Sequence, residues 1–279
     1  MYNIIRLTLK EISNKRILHL GVVLSLIYLL IYNIALHYLV KDLAFMNSNQ
    51  FWYKQQIGYQ FLTLGWYVSS FLLGALSIML GAGSIAGEIE SGTILSLASR
   101  PFSRQAILLG KFLAYALVTA LYSSVLVGSM AWLVIHYFKL MISPEAMLGG
   151  ILVFMLFPVV LLAVAHLFSV LMSTMATGVI AFMLFIIAII GGFMEQIGVL
   201  INNSALINTG VITSLIMPCD AIYRMAVAKM AGTVGGGFIV NFGPFGVTSA
   251  PSIWMLVYAL VYILLMLWLA LHLFAKRDF

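Results

Sequence analysis

Long apolar runs separated by short polar stretches fill this chain. Six of them, 17–39, 61–85, 112–137, 147–172, 176–194 and 253–274, approach or exceed the roughly 20 residues that a helix needs to cross a bilayer. The pattern predicts an all-α, polytopic membrane protein with six transmembrane helices in one domain over 1–279. Three intervening segments have characters of their own. Residues 1–16 read as an amphipathic interfacial helix. Tyr2, Ile5, Leu9 and Ile12 fall at helical spacing on one face and Lys10, Glu11 and Asn14 on the other, with Leu7 interrupting the polar side. Residues 87–104 form a polar island between the second and third apolar runs. Residues 195–252 are too apolar for a solvated loop; their portion 206–231 is expected to lie in the membrane plane or re-enter it. There Asp220 and Arg224 stand at i and i+4, so they pair if the segment is helical, and the glycine-rich run 232–246 supplies turns.

The island has a physical logic. Glu88 and Glu90 stand where the second run leaves the membrane, and Gly92 permits a sharp turn. A short helix over 93–98 then displays Ile94, Leu95 and Leu97 until Arg100-Pro101 ends it, because proline disfavours helical geometry in the residue before it. Ser103 caps the next helix, which carries Arg104 and Lys111 into the third run. The product is a charged elbow with an apolar tip, shaped for a groove on a partner in the water. A plain interfacial hairpin accounts for the proline and the serine but not for displayed Ile94, Leu95 and Leu97.

Composition narrows the class. Hydrophobic residues make up 63% of the 279, the mean hydropathy is +1.12 and only 8% are charged, which leaves no room for a soluble domain. The one cysteine, Cys219, excludes an internal disulfide and a cysteine metal cluster. The net charge of +6 is not pooled on a soluble face, which argues against nucleic acid; it reports orientation instead. With both termini inside, Arg6, Lys10, Lys15, Arg16, Arg100, Arg104, Lys111, Lys276 and Arg277 are cytoplasmic. Lys41, Lys54, Lys139, Arg224 and Lys229 are then outside, so the bias puts both termini and the island in the cytoplasm. The first run is too long for a signal-peptide core and lacks a small-residue cleavage site, so it is expected to stay as an anchor. Trp52, Tyr53, Tyr59, Trp66 and Tyr67 are expected to form an aromatic belt at the outer interface.

Candidate chemistry within the spans is sparse. Pro158 should kink the fourth span, and His166 in the same span reads as hydrogen-bonded to a neighbouring helix rather than catalytic. Glu195 at the outer end of the fifth span, with Asp220 and Arg224, is a possible outer gate. The spacing Gly83-x-x-x-Gly87 permits close helix approach but carries little weight among 23 glycines. No zinc-protease, nucleophile-elbow or Walker-type motif is present, so no metal is expected and ATP is not held by such a loop here. A passive channel needs a filter, for which the glycine-rich run 233–237 is the sole candidate and lacks the aromatic position. An intramembrane enzyme needs polar residues meeting at one depth, for which Asn33 and His166 are the candidates.

The island resembles the segment between the second and third spans in permease subunits of ABC transporters of the type-2, exporter-like family. That segment reads E-x-x-x-GT-[IL]-x-x-[LS]-x-x-x-P-x-[SR]-R-x-x-[IL]-x-x-x-K, and here Glu88, Gly92-Thr93, Ile94, Leu97, Pro101, Ser103-Arg104, Ile107 and Lys111 answer to it. The six-span layout, the amphipathic N-terminal helix and the basic end 275–279 agree in outline; 195–252 does not map onto family positions. The resemblance implies a membrane half of an ATP-driven transporter in a prokaryotic plasma membrane, exporting rather than importing. It implies a dimer with a second copy or a related permease, and two cytosolic ATPase subunits that hold ATP and Mg while this chain binds no cofactor. It further implies that Glu88, Glu90, Gly92, Thr93, Ile94, Leu95, Leu97, Arg100, Pro101, Arg104 and Lys111 form the coupling helix and its surroundings, where the ATPase docks. It does not indicate the cargo.

Overall fold

The computed structural model describes residues 2–43, 51–93, 104–231, 247 and 249–276, and every regular element among them is an α-helix. In chain order these are α1 (Tyr2–Ser13), α2 (Arg16–Leu43), α3 (Phe51–Ala82), α4 (Ala86–Glu90), α5 (Arg104–Phe138) and α6 (Pro144–Phe154). They continue with α7 (Leu156–Leu171), α8 (Thr174–Leu200), α9 (Ser204–Ile216), α10 (Cys219–Ala231) and α11 (Trp254–Ala275). Local chemistry sets several boundaries. The side chain of Ser143 caps α6 by accepting from the Ala146 amide at 3.2 Å, with Pro144 following in the first turn, where its missing N–H costs nothing. Asn203 caps α9 through the amides of Ala205 and Leu206. Lys139 and Asn202, with φ of 53° and 54°, stop α5 and α8 in the left-handed region.

Among the described residues six runs have the length and hydropathy of membrane spans: Arg16–Leu43, Trp52–Ala82, Gln105–Phe138, Pro144–Leu171, Thr174–Leu200 and Trp254–Ala275. Each expected apolar run lies substantially within one of them. The second begins about ten residues earlier than its hydropathy suggests, because Gln55 finds polar partners inside the protein. Its amide donates to the Lys139 carbonyl at 3.1 Å and its carbonyl accepts from the Met141 amide at 3.2 Å, at the turn between α5 and α6. The same shift corrects the aromatic belt. Tyr59 and Trp66 are core residues, and the Trp66 indole donates to the Val127 carbonyl at 3.1 Å; only Trp52 and Tyr53 are more than half or half exposed. The fourth span is interrupted at Met155, where α6 gives way to α7. Pro158 has no N–H to donate to the carbonyl of Phe154, the last residue of α6.

α3 and α6–α7 form the centre of the bundle, while α2 and α11 present most of their apolar surface outward, as lipid-facing helices do. At one end Ile85, Leu108, Leu167, Val170, Ala270 and Phe274 pack together, gathering the exit of α3 and the adjoining parts of α5, α7 and α11. We call this the elbow end. α1 docks there with Ile4, Thr8 and Ile12 inward, one residue to the side of the face its sequence spacing indicates. The reason is that Ile4 packs onto Gly110 of α5, while Leu7 stays exposed.

The opposite end carries a helical hairpin. α9 and α10 are bent by 104° at Met217-Pro218. Each has 13 residues. At ~1.5 Å per residue neither reaches across a hydrocarbon core of ~30 Å. α9 lies along α8 at glycine-only distance, since a Cβ on Gly210 would sit 2.6 Å from the Gly191 carbonyl, and α10 comes equally close, since a Cβ on Gly192 would collide with the Asp220 carboxylate. Close approach is made here, and at Gly81 against Leu162 and Ala165, rather than at Gly83 and Gly87. Gly210→Ala is therefore expected to wedge α9 off α8 and lower the melting temperature in detergent by an overpacking cost of about 1–3 kcal/mol. Gly178→Ala, which meets nothing within 4 Å in the same α8, should be neutral or stabilising. Equal melting points for the two variants would refute the close packing.

Candidate functional site: charged anchors at the two ends of the bundle

At the elbow end the polar residues gather on one lysine. The side chain of Lys111, in the second turn of α5, is only 2% exposed, and its ammonium pairs with Glu88 of α4. It also faces Glu11 of α1 at 3.7 Å, and Glu11 in turn pairs with Lys15 at 3.0 Å. The Lys15 ammonium hydrogen-bonds the Tyr115 hydroxyl. α1, the α3–α4 turn and α5 thus share one ionic knot. Burial pushes the Glu11 carboxyl up, but the Lys111 and Lys15 ammoniums outweigh it and hold it below the usual carboxylate range.

Beyond the knot the chain turns outward. Gly92 has a φ of 71°, the left-handed geometry expected of the turn, and Glu90, Ser91, Gly92 and Thr93 are exposed, with the Ser91 and Thr93 hydroxyls 2.9 Å apart. Glu90 reaches across to α8: its carboxylate accepts from the Thr174 amide at 2.7 Å and the Thr174 hydroxyl at 2.9 Å. A carboxylate on the amides of a helix N-terminus is favoured by the helix dipole. Ile94, Leu95, Leu97, Arg100, Pro101 and Ser103 lie outside the described residues, and Arg104 is described only as the first residue of α5. Of the residues expected on a docking surface, Glu88 and Lys111 face each other and Glu90 faces α8, while Gly92 and Thr93 stand at the surface.

At the hairpin end three charges meet. The Arg224 guanidinium, 1% exposed, grips Glu195 of α8 with both terminal nitrogens, at 2.8 and 2.7 Å, and donates from Nε to Asp220 at 2.9 Å. It also donates to the Ser249 carbonyl at 3.1 Å, and the Ser249 hydroxyl donates to Glu195 at 3.0 Å. α8, α10 and the segment entering α11 are bound together by this cluster. The i, i+4 spacing announced Asp220–Arg224; the longer link to Glu195 had no local signal.

The two polar residues expected deep within the spans, His166 and Asn33, have structural partners. His166 Nδ1 lies 2.7 Å from the Ser84 hydroxyl, with its ring beside Phe112, as expected of a residue bonded to a neighbouring helix. Asn33 accepts from Tyr137 at 3.0 Å, so Asn33 and His166 have separate partners and do not pair with each other. Among the described residues no group of three metal-ligand side chains converges. Sequence reasoning missed Glu11, Lys15, Tyr115, Thr174 and Ser249 as members of the two anchors. Glu11-x-x-x-Lys15 at i, i+4 is the one clue it offered.

Two outcomes follow. Arg224→Met leaves two carboxylates buried without their cation and should cost about 3–5 kcal/mol. Glu195→Gln/Asp220→Asn/Arg224→Met should recover most of it in the same thermal-melt assay, and a variant as unstable as the single would contradict the ionic account. Glu11, with its lowered value, contributes fully above the usual carboxylate pKa of about 4.3 and loses its contribution as pH falls through the lowered value. A spin label at Leu7→Cys should therefore gain mobility only below that range, whereas with Glu11→Gln it should be mobile at pH 7. Pairing that survives at pH 2 would contradict this.

Comparison with known proteins supplies context for these anchors. A family model described as ABC-2 family transporter protein matches residues 3–279. A probable ABC transporter permease protein, NosY, of Pseudomonas aeruginosa is 39% identical over 64 residues, 23% of this chain and 23% of that protein. NosY of Stutzerimonas stutzeri is 39% identical over 61 residues, 22% of this chain and 21% of that protein. These alignments span less than a quarter of the length of the curated relatives.

Proposed function

The chain belongs to the ABC-2 family of transporter proteins, and on that premise we propose that it is the membrane-spanning permease subunit of an ATP-driven ABC transporter, working as an exporter. The observation that carries the reading is the exposed turn 90–93 mounted on a buried ionic knot. A partner gripping this turn pulls on α5 and α1 through Glu88–Lys111–Glu11 and on α8 through Glu90–Thr174. The partner is a cytosolic ATPase that carries ATP and Mg; this chain supplies no cofactor and no hydrolysis. Two permeases with two ATPases form the working unit, in a prokaryotic plasma membrane.

The orientation rests on the basic residues. Arg6, Lys10, Lys15, Arg16, Lys111 and Lys276 cluster toward the elbow end, which is therefore cytoplasmic. Glu195, Asp220 and Arg224 then lie toward the outer side, where they hold the α9–α10 hairpin closed as the exit gate. Within the docking segment Ile94, Leu95 and Leu97 supply burial, and Arg100, Pro101 and Arg104 shape and orient it.

The test is co-purification. Leu95→Asp removes an aliphatic contact worth roughly 1.5–3 kcal/mol and buries a charge instead, so ATPase recovery should fall at least tenfold while membrane insertion is unchanged. Rim charges mainly tune encounter, so Arg100→Ala should be milder. Wild-type recovery and transport with Leu95→Asp would remove the main support for this function.

A further inference from the structure

Beside the Arg224 anchor lies a cavity of about 380 Å³ whose walls include Glu195, Arg224, Ser214, Trp254 and Tyr258. Its chemistry is lopsided. Two carboxylates against one guanidinium leave a formal surplus of one negative charge, and Lys229, the next cation along α10, runs along Gly149 of α6 instead. Glu195 accepts two bonds from Arg224 and one from Ser249, three of the roughly four that a carboxylate can take. The Ser214 hydroxyl is buried and has no hydrogen-bond partner. Its neighbour Thr213 and others such as Ser69 and Thr119 bond back to their own helix carbonyls, as hydroxyls in apolar helices usually do; Ser214 does not. Such an orphan is costly unless something fills the place. Apart from Ser252, the rest of the wall is apolar or aromatic, and Val211, Leu215 and Trp254 are exposed.

We propose that this cavity binds an alkylammonium amphiphile, its N–H₃⁺ head donating to Glu195 and Ser214 and its chain lying outward along Val211, Leu215 and Met255. An ammonium answers the surplus negative charge, the open acceptor position and the unpartnered hydroxyl together, and the aromatic residues Trp254 and Tyr258 on the wall suit a cation further. An anionic head would meet the carboxylate, and an alkane would leave Ser214 unpaired. The binding site stands by itself; that its occupant is cargo rests on the transporter reading.

The experiment uses the full chain in phosphatidylcholine nanodiscs, whose choline heads have no N–H to donate. Quenching of Trp254 fluorescence by 12-bromododecylammonium is compared with the 12-bromo derivatives of dodecanoate and dodecanol. Saturable quenching by the ammonium, at least tenfold tighter than by the other two and absent in Trp254→Phe, is expected. Ser214→Ala removes an orphan hydroxyl and so preserves the fold, yet should weaken binding several-fold; Ser214→Leu fills the cavity and should abolish it. Equal affinity for the three heads, or ammonium binding untouched by Ser214→Leu, overturns the proposal. Adding phosphatidylethanolamine separates the sources. Competition identifies a membrane lipid as the occupant and its absence a free amphiphile, and the site stands in either case. A protein that binds the ammonium but recovers no ATPase upholds the site and sinks the transporter reading; recovery of the ATPase without ammonium binding does the reverse.

Discussion

A charge inside an apolar bundle has to bring its counter-ion with it, and in this protein that constraint decides where helices can separate. Lys111 and Arg224 are 2% and 1% exposed; Lys111 is matched by carboxylates of α1 and α4, and Arg224 by Glu195 of α8 and Asp220 of its own helix. An uncompensated charge at such depth costs several kcal/mol, far more than the packing of any one neighbouring side chain. The helices that contribute partners are therefore fixed to one another wherever these ions sit. Elsewhere they meet through methyl groups, rings, glycines and neutral hydrogen bonds such as those from Trp66 to the Val127 carbonyl and from Tyr137 to Asn33.

The consequence is a bundle with an ionic pin at each end and neutral contacts between them. At the elbow end the pin joins α1, α4 and α5, and Glu90 adds α8 from the same turn. At the hairpin end it joins α8, α10 and the chain entering α11. α8 is common to both. A displacement at the turn 90–93 thus has a continuous helical route along α8 from Thr174 to Glu195 of the triad, about 32 Å at ~1.5 Å per residue. The contacts of Gly191 and Gly192 lie toward the far end of that route, where α9 and the Asp220 side chain of α10 press on it.

Hydropathy made the six spans legible because a bilayer admits little besides apolar helices, and the breaks between runs are polar or carry proline. It failed where polar groups were satisfied inside the protein. Gln55 bonded to the α5–α6 turn let α3 start early and drew Tyr59 and Trp66 into the core instead of a belt. The anchors were legible only in part for the same reason. Asp220–Arg224 and Glu11–Lys15 are local and show as i, i+4 spacings, whereas Glu195 to Arg224 and Glu88 to Lys111 are separated by 29 and 23 residues and depend on tertiary packing. Motif resemblance marked Glu88 and Lys111 as belonging to one segment, but it carried no information that they face each other.

The two pins also differ in kind, and the difference bears on direction. Lysine offers a compact charge on a flexible stem that keeps most of its attraction when a partner shifts by an ångström, and Glu88 and Glu11 are both within its reach. Arginine holds a planar fork whose bidentate grip on Glu195 depends on alignment, and the Nε bond to Asp220 fixes its remaining freedom. The elbow end can therefore rearrange while remaining paired, whereas the hairpin end is either closed or broken. Under the transporter function proposed above, small adjustments entering at the adaptable pin reach an anchor that holds only in alignment, so the proposed opening is all-or-none.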